Sequence, residues 1–176
     1  SLEVNDLILE LRKAARIGSI AGIEASHVHA DTWLKDLDAN VDHRVKYTLA
    51  ERLNVSDQAY EGLMQTRKNL VQEMDRRLGG MDFFVTPTTP IVAPTIASVS
   101  EDPVEYDRVE GLLLRNTQIA NQFDLCSITL PMPVKGMPAG FMLTARNGAD
   151  KLLFAAALAV EKLLERLPKS GNRFSE

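Results

Sequence analysis

The sequence predicts an α/β fold rich in helix, with about three strands that are either covered by helices or part of a larger mixed β-sheet. Three observations carry this. Apolar residues recur at the 3.6-residue period through most of the first 80 positions. After Gly79-Gly80 the texture changes to short continuous apolar runs bounded by Gly and Pro. Only three such runs occur, and two of any three strands are sheet edges. Three strands enclose little interior, so either helices cover them or neighbouring strands come from other sequence.

Each element follows from its pattern. Leu7, Leu11, Ala14 and Ala15 mark one face of a first helix that fades at Gly18. A second stripe runs from Ile23 through Ala30, Trp33 and Leu34 to Leu37. The stretch "DANVDH" turns the chain, and Val45, Leu49 and Leu53 predict a shorter third helix. Ser56 is a suitable N-cap for the fourth and clearest helix. Its inward face is Tyr60, Leu63, Met64, Leu70, Val71, Met74 and Leu78.

"MDFFV" (81–85) reads as a strand buried on both faces. "TPTTPIVAPTI" (86–96) reads as a stiff, extended loop, since proline lacks the N–H that a central strand needs. Residues 97–104 are polar and acidic, as in a surface excursion, and a helix is expected from about Tyr106 to Phe123. "CSITLP" and "AGFMLTA" predict two further strands. Asn147-Gly148 turns the chain into a last helix, with Asp150 in its first turn. Its inward residues are expected to be Leu152, Leu153, Ala156, Ala159, Val160, Leu163, Leu164 and Leu167, with Pro168 ending it. Residues 1–168 then form one portion of a domain, and 169–176 are expected to be a disordered tail.

Composition narrows function. The 176 residues suit one ordinary domain, and 45% hydrophobic with 25% charged residues is a globular balance. A net charge of −4 disfavours nucleic acid, whose phosphates need a basic surface. No apolar run reaches the roughly 20 residues that span a bilayer, so no membrane partner and a cytoplasmic address are expected. The chain opens Ser1-Leu2 without methionine, which suggests a piece of something longer.

Chemistry-bearing residues are sparse. His27 and His29 lie two apart, which on a helix points them about 200° apart and prevents them from sharing an ion. No metal is expected there, and His29 is read as a packed or hydrogen-bonded core residue. Cys126, the only cysteine, is read as a small buried hydrophobe, because no base or positive field lies near it in sequence. No phosphate loop, dinucleotide fingerprint or Gly-x-Ser-x-Gly elbow appears. One segment stands out. "RNTQIANQFDLCSITLP" (115–131) places Asn116, Thr117, Gln118 and Asn121 where a helix meets an apolar strand.

The order of several short motifs resembles the carboxyl-terminal half of the amidase signature family. These are Asp82, Pro87-Thr88-Thr89-Pro90, Ala93-Pro94, Asn116-Thr117, Asn121, Leu130-Pro131, Pro138-x-Gly140, Asp150, Leu152-Leu153 and Glu161. Glu24-Ala25, His29, Tyr60 and Arg67 extend the likeness upstream, so that it covers about residues 20–165. The resemblance implies hydrolysis of a small amide or ureide by a Ser–cis-Ser–Lys triad, with no metal or cofactor. That triad lies in the amino-terminal half of family members, and no Gly-Gly-Ser-Ser-Gly stretch occurs here. No catalytic residue is therefore assigned. The missing half is the expected partner, and self-association through an open sheet edge is a second expectation.

Substrate-binding residues implied by the resemblance are Thr88, Thr117, Gln118 and Asn121. Thr117 and Asn121 are i and i+4 and share a helix face. The competing reading is that these groups cap the helix and tie down the 86–96 loop. The family's tRNA-dependent amidotransferases show Asn-Leu-Ala-Gly-Leu-Pro where this chain has Asn121-Gln122-Phe123-Asp124-Leu125-Cys126, and Gln in place of Met142. The present version is more similar to stand-alone amidases and the allophanate or biuret hydrolases. The rival from another class is a non-catalytic helical binding module.

Overall fold

The computed structural model describes residues 3–36, 39–100, 102–167 and 170–171. The chain divides into two compact units, Ser1–Met74 and Asp75–Glu176. The expectations for Leu37, Pro168 and most of the 169–176 tail fall outside the described residues.

The first unit is helical. Helix α1 (Asn5–Ala14) buries Leu7 and Leu11, then tightens into a 3-10 turn that Gly18 ends at φ +137°. Helix α2 (Ile20–His29) starts under the Ser19 hydroxyl, which accepts from the Gly22 N–H at 3.1 Å. It stops at His29 rather than running to Leu37. Residues 30–35 are turns, and the Thr32 hydroxyl donates to the His29 carbonyl at 3.1 Å. Asp31 and Thr32 are residues whose side chains compete locally with helical hydrogen bonding. Helix α3 (His43–Arg52) is capped by Asp42 and packs against α2, but none of its residues is fully buried. Helix α4 (Asp57–Leu78) starts as expected at Ser56, whose hydroxyl accepts from Ala59 N–H at 3.3 Å. Leu63, Leu70, Met74 and Leu78 are buried, with Tyr60, Met64 and Val71 half-buried beside them.

The second unit holds the sheet. Strands β1 (Phe84–Pro87), β2 (Cys126–Pro131) and β4 (Gly140–Ala145) pair antiparallel in the order β1-β4-β2. The expected strand at 81–85 lies three residues later, at 84–87, and takes in Pro87. Among the described residues β1 is an edge strand, where the proline has one ladder to serve. Pro131 likewise sits in the other edge strand, while the proline-free strand is central. The strand with the most buried residues is accordingly β4, not β1, where Val85 is half-exposed. A two-residue strand β3 (Val134–Lys135) pairs parallel with β5 (Ser170–Gly171), a contact the sequence pattern did not suggest.

The helices of this unit differ from expectation in number and in inward face. Residues 97–104, read as a surface excursion, overlap α5 (Ile96–Ser100), started by Thr95, whose hydroxyl accepts from Ser98 N–H at 3.3 Å. The single helix expected over 106–123 is two, α6 (Pro103–Leu114) and α7 (Thr117–Gln122). Asp102 caps α6 and Pro103 takes its first turn, where no N–H is needed. Helix α8 (Asp150–Leu164) packs on β2 and β4 through Leu153, Ala157, Val160 and Leu164. Leu152, Ala159, Leu163 and Leu167, expected inward, are exposed, as are Phe154 and Leu158.

Candidate substrate-facing site

Register sorts the sheet's side chains onto two faces. Cys126, Ile128, Leu130, Phe141, Leu143 and Ala145 lie against α8. The alternate positions carry Ser127 and Thr129 of β2, Gly140, Met142 and Thr144 of β4, and Phe84 and Thr86 of β1. Thr88 extends this row, because its N–H donates to the Gly140 carbonyl at 2.9 Å. Two hydroxyl pairs form across strands: Thr88 with Thr129 at 3.0 Å, and Ser127 with Thr144 at 2.8 Å.

The mixed character of residues 115–131 has its structural cause in Asn116. It sits between α6 and α7 with its side chain buried, and its Nδ2 donates to the Pro87 carbonyl at 2.7 Å. This bond joins the start of α7 to the start of the Pro-rich loop. The break between the helices falls at Arg115 and Asn116, whose backbones both stay in the αR region. Arg115 donates to the Asn116 Oδ1 at 3.3 Å, so both ends of the amide are used.

The four expected substrate-binding residues fall around this tie. Thr88 directly follows Pro87, and Thr117 directly follows Asn116. The Thr117 hydroxyl donates to the Leu114 carbonyl at 3.1 Å, the local capping role rather than a free one. Gln118 and Asn121 are exposed on α7. Asn116 was not among the expected site residues, although its place in the polar run marked it. Thr129 was also missed, because a threonine in a strand looks like ordinary β-propensity.

The helix-to-strand junction is made by Asp124. It adopts φ +57°, the left-handed region, and its carboxylate accepts from Asn147 Nδ2 at 2.7 Å. Glycine is the default residue there and Asp a tolerated one. The Gly-to-Asp difference from the amidotransferase pattern falls at this left-handed position.

Cys126 begins β2 and is half-buried rather than fully buried. Its Sγ donates to the Arg146 carbonyl at 3.2 Å. Burial, and then the nearby Asp150 carboxylate, push the thiol above its ordinary range, so it is protonated at neutral pH. It has the properties of a packed thiol, not of a nucleophile.

The upstream residues that carry the resemblance make a separate tie within the first unit. The Tyr60 hydroxyl donates to Glu24 Oε1 at 2.5 Å, linking the first turn of α4 to α2. That carboxylate raises the Tyr60 pKa above its usual value. Both line a groove of about 340 Å³ with Ile23, His27, Val55 and Asp57. His29 stacks on Trp33 with ring centroids 4.7 Å apart, a packing role. Among the described residues no helix is long and apolar enough to cross a membrane.

The sheet of order β1-β4-β2 lies beneath α8, with α7 tied to the Pro-rich loop, in one α/β unit. The profile of the Amidase family matches residues 21–154, and the chain belongs to that family. It is 27% identical over 116 residues to a glutamyl-tRNA(Gln) amidotransferase component of Halobacterium salinarum, covering 65% of this chain and 26% of that protein. It is equally 27% identical over 137 residues to the 2-amino-5-chloromuconic acid deaminase of Comamonas testosteroni, covering 73% of this chain and 29% of that one. The chain thus spans under a third of either relative. Among solved structures, an amidase superposes with TM-score 0.69 at 21% identity, over 89% of this chain and 36% of the other. The K. lactis urea amidolyase gives TM-score 0.75 at 21% identity, over 89% of this chain and 9% of that protein. These two likenesses establish the fold.

Proposed function

We propose that this chain forms sheet core and one wall of the substrate cavity in an amide hydrolase. Its substrate is a small amide or ureide, converted with one water to a carboxylate and ammonia or an amine. The nucleophile and its base come from sequence outside these 176 residues. Hydrolysis needs an activated nucleophile, a proton donor for the leaving nitrogen and fixed donors for the oxyanion. None of these can be placed on the described residues. What the chain offers is placement, and the Asn116–Pro87 bond is the observation that carries the reading. It holds the Thr88 loop and the α7 polar face in one rigid arrangement.

The outer side of α8 supports the same reading. Phe154, Leu158 and Leu163 are 62%, 59% and 60% exposed, so the helix is apolar nearly all round. Helices of that kind belong in the interior of larger domains. The reading takes a small molecule rather than a tRNA as substrate, in keeping with the net charge of −4, and it invokes no metal, cofactor or membrane.

The test uses the full-length hydrolase and a panel of aliphatic and aryl amides, biuret and allophanate. Asn116→Ala releases the loop. A misplacement near 1 Å costs on the order of a hundredfold in rate, so kcat/KM should fall ten- to a hundredfold while the fold survives. The isolated chain should hydrolyse nothing. Activity of the isolated chain that survives repurification and disappears in Cys126→Ala would overturn the assignment.

A further inference from the structure

We infer that Gly140 and Thr129 are positioning residues that aim the Thr88 hydroxyl into the substrate cavity. The inference rests on the reading that Thr88 faces substrate. Thr88 stands where the chain leaves β1 for the Pro-rich loop, and its backbone is fixed by the bond to the Gly140 carbonyl. That leaves the side-chain rotamer as the remaining freedom, and two neighbours remove it.

The first neighbour is Thr129, whose hydroxyl lies 3.0 Å from that of Thr88. In such a pair one hydroxyl donates and the other accepts, which leaves one proton and spare lone pairs for a third group. Thr129 is exposed and Thr88 half-buried, so the pair is open on one side. An amide carbonyl or an amide N–H can complete it.

The second neighbour is Gly140. A Cβ added there would lie 2.7 Å from Thr129 Cγ2 and 2.9 Å from Thr88 Cβ, and closer still to Thr88 Oγ1. Both threonines are β-branched and stiff at χ1, so neither swings away cheaply. Gly140 is not among the positive-φ glycines, so the requirement is for space and not for an unusual backbone. Glycine inside a strand weakens it and marks close approach by another group. Here the central strand gives up a side chain so that two hydroxyls from its flanking segments can meet over it.

The experiment is a double-mutant cycle read in steady-state kinetics of the full-length hydrolase. Thr129→Val keeps volume and removes the hydroxyl. It should lower kcat/KM about two- to tenfold, mostly through KM, the ordinary worth of one neutral hydrogen bond. In a Thr88→Val background the same change should do nothing further, because Thr129 acts only through Thr88. Thr129→Ser should restore KM. Gly140→Ala should raise KM further, and the cycle stands whether or not that variant folds. If Thr88→Val lowers kcat/KM but Thr129→Val does not, the positioning inference fails alone. It also fails alone if Thr129→Val has the same effect in both backgrounds. If Thr88→Val leaves KM unchanged, the substrate-wall reading fails and takes the inference with it.

Discussion

The two faces of the three-stranded sheet carry different side chains. Against α8, Ile128, Leu130, Phe141 and Leu143 fill space. On the other side, Thr86, Thr88, Ser127, Thr129 and Thr144 stand where Val or Ala would fit a strand equally well. A buried hydroxyl gains nothing over a methyl unless it is paired, and it costs when it is not. Four of these hydroxyls pair across strands, and among the described residues Thr86 alone is buried without a partner. The α8 face holds the sheet together. The hydroxyl face is the one that can bind a polar ligand.

The largest effect that would sharpen this contrast is on the apolar face. Leu143 is 0% exposed at the centre of the sheet. Leu143→Ala should cost about 2–5 kcal/mol, the range for a buried leucine that leaves a cavity. Urea denaturation measures it. A loss below about 1 kcal/mol would mean that α8 and β4 do not pack into a common core.

The next test concerns the Ser127–Thr144 pair. Thr144 is 1% exposed, so Ser127→Ala strands its hydroxyl at a cost of about 1–3 kcal/mol. Adding Thr144→Val removes the stranded group and should return stability nearly to the starting value. A double variant as unstable as Ser127→Ala would show that the two hydroxyls are not each other's partners.

Cys126 probes the apolar face chemically. Its raised pKa means that the folded state favours the protonated thiol, a preference present below the unfolded pKa and lost as pH rises through the folded one. Thiol reagents at a pH of about 8, near the ordinary thiol pKa, should therefore label the folded protein far more slowly than the denatured chain. Equal rates would place the thiol in open solvent.

Much of this architecture was legible in the sequence, for reasons that are local. Helix α4 follows from a long 3.6-residue period and the Ser56 cap, and β2 from one short apolar run ended by proline. What was not legible depends on neighbours distant in the chain. The start of β1 was misplaced because Pro87 is acceptable only on an edge, and edge position is a property of the finished sheet. Helix α7 was fused to α6 because Arg115 and Asn116, at the break, keep helical backbone angles and carry no glycine or proline signal. The inward face of α8 was misread because the helix is apolar on several sides, so periodicity alone could not choose among them. Within the candidate site, Thr88 and the 116–121 segment were recognisable by motif order. Thr129 and the steric role of Gly140 were not, because both depend on cross-strand register.

The smallest expected effect has the opposite sign and bears most directly on what the hydroxyl face is for. Thr86 Oγ1 is buried and has no hydrogen-bond partner among the described residues. An unpaired buried hydroxyl is a cost of about 1 kcal/mol or more, and valine has the same shape without it. Thr86→Val should therefore stabilise the isolated chain by up to about 1 kcal/mol, seen as a higher urea midpoint with an unchanged slope. Native proteins do not keep such a group without a reason. If the hydroxyl meets a partner group in the full-length hydrolase, the same substitution should give a smaller gain there. A loss of stability in the isolated chain would mean that Thr86 is already satisfied within it. The hydroxyl row would then be a structural network of the sheet, and the contrast between its two faces would lose its functional meaning.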